Sequence, residues 1–247
     1  MDVIRIDING DVAEGIGNEK ALFPYISSCN ICCGAHAGSV EEMTRIIRLA
    51  HVHQLKIGAH PGYPDRVNFG RKRPENSSVS TLMASIESQL RDFQKAIVQE
   101  GAHWHHIKPH GALYNDLAFD TELMHAFLKL VARYKEDVAL YVLSGSPFAK
   151  LAKEKGFKVV SEVFADRNYT DDLTLCPRSH PDALIRDPEK VFAHIVPMAK
   201  EGLVRTLNGQ LKALSADTFC VHGDTPEAVA IIKYLKDHLA NHNITLA

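Results

Sequence analysis

The sequence predicts an α/β protein, a (β/α) barrel with seven parallel strands. Three observations lead there. Short strand-like runs alternate with longer helical ones about seven times along the chain. The length, 247 residues, is normal for one α/β barrel. Polar residues also recur at the carboxyl ends of successive strands, the face on which parallel barrels gather binding groups. An open parallel sheet is the alternative reading of the same alternation. Residues 1–247 show no composition break, linker or low-complexity tract, so the chain reads as one domain.

Each element has its own signal. VIRIDI at 3–8 alternates with period two, placing Ile4, Ile6 and Ile8 on one face and Arg5, Asp7 and Asn9 on the other. SCNICC at 28–33 is the second strand. Ser39 then reads as an N-cap before Val40, Met43, Ile47 and Ala50 at helical spacing. KIGAH at 56–60 is the third strand, and 78–99 is an amphipathic helix through Leu82, Ile86, Leu90, Phe93 and Ile97. HHIKPH is the fourth strand, followed by a helix through Leu123, Phe127 and Val131. VALYVL at 138–143 and FKVVSEVF at 157–164 are the fifth and sixth, with a short helix from Ser146 to Lys155 between them. Residues 166–186, with Pro177 and Pro181, read as an irregular loop long enough to be functional. A helix at 187–201, the run LVRTL and a final strand TFCVH at 218–222 complete the barrel. Pro226 opens the last helix, through Val229, Ile232 and Leu235.

Composition excludes several classes. Hydrophobic residues make up 45%, charged residues 23%, and the formal charge is −2, as in an ordinary soluble globular protein. The densest basic cluster, Arg71-Lys72-Arg73, is too short for a nucleic-acid footprint. No apolar run approaches the ~20 residues needed to span a bilayer. Five cysteines, an odd number without a secretory signal, point to a reducing compartment and a cytoplasmic protein.

The polar residues fall in a pattern. Asp7, Asn9 and Asp11 close the first strand, His36 follows the second and His60 ends the third. Lys108 and His110 end the fourth, Asp166 and Arg167 follow the sixth, and His222 with Asp224 ends the last. A structural role would scatter such residues, whereas a shared site collects them at one mouth. The stretch HWHHIKPHGALY holds four histidines, but strand alternation separates them. His106, Lys108 and His110 share one face, with His106 deeper, while His103 and His105 point outward. Other signals are poorer. Cys29 and Cys32 have redox-motif spacing but face opposite sides of a strand, so they read as buried small residues. The chain has no GxSxG elbow, no Walker GxxxxGK[ST] loop and no dinucleotide fingerprint.

The ordered motifs IDINGDVAEG, NICCGAHAGS, IGAHPGYPDRVNFGR, HIKPHGALYN, EVFADRNY with the downstream PRS, and VHGD resemble those of the LamB/YcsF family from residue 4 to about 225. The resemblance implies a barrel of glycoside hydrolase/deacetylase type. It also implies an A-subunit role in a prokaryotic 5-oxoprolinase, opening 5-oxoproline (pyroglutamate) to L-glutamate with ATP and partner subunits B and C. Some positions depart from the family's pattern: Gly10, Val12-Ala13, Ala35, Ser39 and the HPDALI stretch after Ser179. Ser39 stands where an Asp is usual, a position that a helix cap also explains.

Opening a resonance-stabilised lactam requires charge stabilisation for phosphate and a base for water. Asp7 or Asp11 is the expected base or water-orienting group. Lys108 and Arg178 would neutralise phosphate or the substrate carboxylate, with Asn9 and Arg167 beside them. His36, His60, His110 and His222 would share proton transfer, while Asp166 and Asp224 would orient histidines or bind the ammonium or a metal. Two alternatives stay open. One is a metal-dependent amide hydrolase using a divalent ion on Asp7, His60 and His110. The other is a non-catalytic lactam-binding protein.

Overall fold

The computed structural model describes residues 3–247. Its strands, in chain order, are β1 (Ile4–Val12), β2 (Ser28–Cys32), β3 (Lys56–His60), β4 (Trp104–Ile107), β5 (Ala139–Leu143) and β6 (Val159–Phe164). After them come β7 (Leu203–Arg205), β8 (Leu211–Ala213), β9 (Thr218–Val221) and β10 (Ile244–Leu246). Strands β1 to β6 pair in sequence order, β6 pairs β9, and β9 returns to β1, every pairing parallel. That ring closes a seven-stranded barrel, as expected, and excludes the open sheet.

The helices are α1 (Glu19–Leu22), α2 (Val40–Val52), α3 (Val79–Gln99), α4 (Gly111–Phe119), α5 (Thr121–Val131), α6 (Pro147–Glu154), α7 (Pro188–Glu201) and α8 (Ala228–Leu239). Several of their starts follow capping chemistry. The Ser39 side chain accepts the Glu42 amide, Ser78 that of Thr81, Ser146 that of Ala149, and Asp187 those of Glu189 and Lys190. The buried faces of the long helices, such as Leu82, Ile86, Leu90 and Phe93 of α3, join the outward residues Ile6 and Ile8 in one apolar layer around the barrel. Among the described residues no helix is long and apolar enough to cross a membrane.

Four details differ from the sequence expectation. Strand β1 continues to Val12, so Asp7 and Asn9 lie within it and not at its end. Strand β4 ends at Ile107, short of the expected HHIKPH, and helix α4 starts directly after His110. LVR belongs to an antiparallel hairpin, β7 with β8, outside the barrel. A last strand, β10, pairs with the first residues of β1. Residues 166–186 form an irregular loop, as expected, held by the isolated bridges Arg167–Leu184 and Tyr169–Leu175.

Candidate active site

The barrel interior is filled by polar side chains stacked from floor to mouth. At the floor, Asp7 Oδ1 accepts from Ser28 Oγ and Thr218 Oγ1, both at 2.6 Å, and Lys56 Nζ lies 2.9 Å from Oδ2. Ser28, Lys56 and Thr218 each open their strands, so this is the amino-terminal end of the barrel. One layer up, Asn9 donates to Thr218 Oγ1 at 2.9 Å and accepts from Asn30 at 2.7 Å and Lys108 Nζ at 3.2 Å. The His106 ring stacks on Tyr141 with centroids 3.8 Å apart, and its Nε2 lies 2.7 Å from Asn30 Oδ1. Its ring fits because β3 carries Gly58, where a Cβ would come within 2.1 Å of that nitrogen. Burial holds His106 neutral, its pKa well below the ordinary histidine value.

The mouth is organised around Lys108. Its ammonium lies 2.9 Å from Asp11 Oδ1 and 2.9 Å from Glu162 Oε1, both buried, and donates to Cys220 Sγ at 3.1 Å. Burial opposes charge on Lys108, yet Asp11 and Glu162 hold its pKa well above the ordinary value. The same exchange keeps Asp11 ionised: burial works against its charge, while His60 and Lys108 pull its pKa well below normal. The pocket is therefore a desolvated cation between carboxylates, strong in its local field and costly to disturb.

Two further arrangements flank it. Asp166 accepts the His222 backbone amide at 2.9 Å and lies 2.9 Å from His222 Nδ1. A carboxylate there holds the proton on Nδ1 and leaves Nε2 as the acceptor. Burial raises the Asp166 pKa, but the His222 contact outweighs it and the net shift is downward. On the other side, Glu14 Oε1 lies 3.3 Å from His36 Nε2, 3.3 Å from His110 Nδ1 and 3.9 Å from His60 Nε2. Burial opposes the Glu14 charge, but the His110 and His36 rings beside its oxygen bring its pKa to about 2. Burial lowers His36 to about 4. These four residues offer ligand atoms all within 4.8 Å of one another, as do Asp11, Cys220 and His222.

A cleft of about 460 Å³ opens above these groups, within the usual range for small-molecule sites. Asp11, Glu14, His60, Lys108, His110 and His222 face it from the barrel, and Arg71, Arg178 and Asp224 from its rim. Arg71 pairs with Asp224, and the exposed Arg178 remains without an ion-pair partner among the described residues. Arg167 lines the cleft too, but its guanidinium donates to Cys176 O at 2.5 Å and Ala183 O at 3.3 Å, pinning the 166–186 loop.

The structure thus brings together Asp11, His36, His60, Lys108, His110, Asp166, Arg167, Arg178, His222 and Asp224. It does not bring Asp7 there. Asp7 lies four residues below Asp11, roughly 13 Å along an extended strand, so the expected ligand set of Asp7, His60 and His110 is not assembled. Glu14 takes the carboxylate place beside the two histidines. Asn9 does not line the cleft and accepts from Lys108 Nζ below it. Sequence reasoning missed Glu14, Glu162 and Arg71. Glu14 stands in the quoted IDINGDVAEG motif, and its place right after the first strand was the available signal.

Comparison with known proteins agrees with this architecture. The LamB/YcsF family pattern matches residues 6–247. The A subunit of 5-oxoprolinase from Neisseria meningitidis is 41% identical over 235 residues, 95% of this chain and 96% of that one. A crystal structure of a lactam utilization protein from Thermus thermophilus superposes with a TM-score of 0.88 at 34% identity, covering 98% of this chain and 99% of the other. A family 4 carbohydrate esterase from Streptomyces lividans shares the fold alone, with a TM-score of 0.53 at 9% identity over 99% of this chain and 92% of its own. The barrel, its mouth and its sequence place this chain in the LamB/YcsF family.

Proposed function

We propose that the chain is the A subunit of an ATP-dependent 5-oxoprolinase, acting in the cytoplasm with B and C subunits. The reaction takes 5-oxo-L-proline, ATP and water to L-glutamate, ADP and phosphate. One observation carries the reading for this family member: the desolvated Lys108 and the Asp166–His222 pair face one small cleft rimmed by arginines. A lactam phosphorylated on its amide oxygen needs cations for the phosphate and a base for the water that adds at carbon 5. Lys108 and Arg178 neutralise phosphate and substrate carboxylate, with Arg71 beside them. His222 Nε2, held in its acceptor tautomer by Asp166, takes the proton of the attacking water. Asp11 orients that water while fixing the lysine. The ring C–N bond then breaks and the nitrogen gains a proton, leaving a γ-glutamyl phosphate that a second water hydrolyses to L-glutamate and phosphate.

The test is glutamate release from 5-oxoproline in a lysate of a strain lacking this protein. Purified chain is added with and without ATP, and is also assayed alone. ATP-dependent release only in the supplemented lysate is expected. No release despite folded protein and intact partner subunits would favour an ATP-independent, metal-dependent amide hydrolase on the same barrel.

A further inference from the structure

We infer that Glu14, His36, His60 and His110 bind one divalent transition-metal cation beside the lysine pocket. The hydrogen bonds of the rings carry this inference. His60 Nδ1 lies 2.6 Å from the Lys108 carbonyl oxygen, and His110 Nε2 lies 2.8 Å from the Phe69 carbonyl oxygen. A carbonyl can only accept, so each of those nitrogens carries the hydrogen. In the neutral rings the lone pairs then fall on His60 Nε2 and His110 Nδ1. These two nitrogens face each other at 3.0 Å. Both also face Glu14 Oε1, at 3.9 and 3.3 Å, and His36 Nε2 approaches the same oxygen at 3.3 Å.

Acceptors therefore crowd acceptors in a buried place, which is unfavourable unless a cation lies among them. One proton on His110 Nδ1 would have to be shared between His60 Nε2 and Glu14 Oε1. A metal ion satisfies the whole set. The backbone carbonyls behind the rings are the usual outer partners of metal-bound histidines, fixing tautomer and orientation. The cradle is shaped as well. His36 and His110 stack with centroids 3.7 Å apart and planes 4° from parallel. The loop over them reaches that close only because residue 70 is glycine at φ +62, where a Cβ would sit 2.9 Å from both His110 Cδ2 and His36 Cβ. Three imidazoles and one carboxylate suit zinc and its first-row neighbours better than magnesium or calcium. Asp11 Oδ2, 3.5 Å from His60 Nε2, links this centre to Lys108.

The inference does not rest on the lactam reading, because its readout is binding. Chain purified without chelators or metal-affinity resin would be analysed for bound metals. It would then be stripped and titrated with Zn²⁺, Mn²⁺, Fe²⁺ and Co²⁺, followed by thermal melting and by the visible absorption of the cobalt form. Stoichiometric uptake by the wild type is expected, with a rise in melting temperature. Glu14→Gln and His110→Asn should weaken uptake by at least the roughly 10–100-fold that losing an outer partner costs, and Asp7→Asn should leave it unchanged. If the stripped wild type binds none of these ions and its melting temperature does not move, the cluster shares a proton and the inference fails. That result needs no variant to fold and leaves the oxoprolinase assay unaffected.

Discussion

Strand β1 places an aspartate at each end of the barrel interior, and the two meet different company. At the floor, Asp7 is met by the Ser28 and Thr218 hydroxyls and the half-exposed Lys56. At the mouth, Asp11 meets the buried Lys108, which also serves Glu162, and lies 3.5 Å from His60 Nε2 in a crowded set of histidines and acids. The floor closes on itself and stabilises the barrel. At the mouth the ionised groups instead face an open cleft, where a ligand can reach them.

Lys108→Met breaks the mouth at its centre and has the largest expected effect. It leaves Asp11 and Glu162 buried without their cation, a change that costs about 3–5 kcal/mol. Glutamate release in the supplemented lysate should fall to background. Urea unfolding should show the stability loss, and adding Glu162→Gln should restore part of it without restoring turnover. Turnover by Lys108→Met near the wild-type level would remove the lysine from the reaction.

Asp7→Asn tests the other half of the contrast with a smaller effect. The amide keeps the shape but loses the charge facing Lys56 and replaces one acceptor with a donor. Stability should fall by about 1–3 kcal/mol while turnover per folded chain is kept. A loss of turnover in a fully folded variant would carry the reaction's requirements down to the floor.

The contrast also explains what could be read in the sequence. Period-two alternation correctly put His106, Lys108 and His110 on one face and Ile6 and Ile8 on the other, because it is local. Depth along the barrel axis is not local. Asp7 and Asp11 look equivalent in IDINGD, and only the register of β1 against Ser28 and Thr218 assigns one to the floor. Glu14 escaped because Ala13 takes φ +61, turning the chain back over the mouth and breaking the alternation. Glu162 sits inside the apolar-looking run VVSEVF, and its partner Lys108 arrives from another strand, which no local pattern announces. Arg71 read as part of a short basic cluster. Its pairing with Asp224 spans the rim and depends on the closed barrel.

The smallest expected effect lies at the loop that walls the cleft. His194 on α7 places Nε2 3.1 Å from the Arg167 carbonyl oxygen, the residue whose guanidinium pins the 166–186 loop. Burial lowers its pKa from 6.5 to about 4, partly offset by that hydrogen bond. The sign follows from proton uptake: below pH 6.5 the unfolded chain binds a proton that the folded chain refuses until about pH 4. The stability from neutral His194 is thus complete above 6.5 and is lost progressively as pH falls toward 4. At about pH 5.5 the loss is on the order of 1 kcal/mol. His194→Gln should flatten this part of the stability curve, measured by urea unfolding at a series of pH values. Because the group stands behind the loop and outside the charged mouth, the variant should bind metal as the wild type does. An unchanged slope would show that His194 takes up its proton in the folded chain as readily as in the unfolded one.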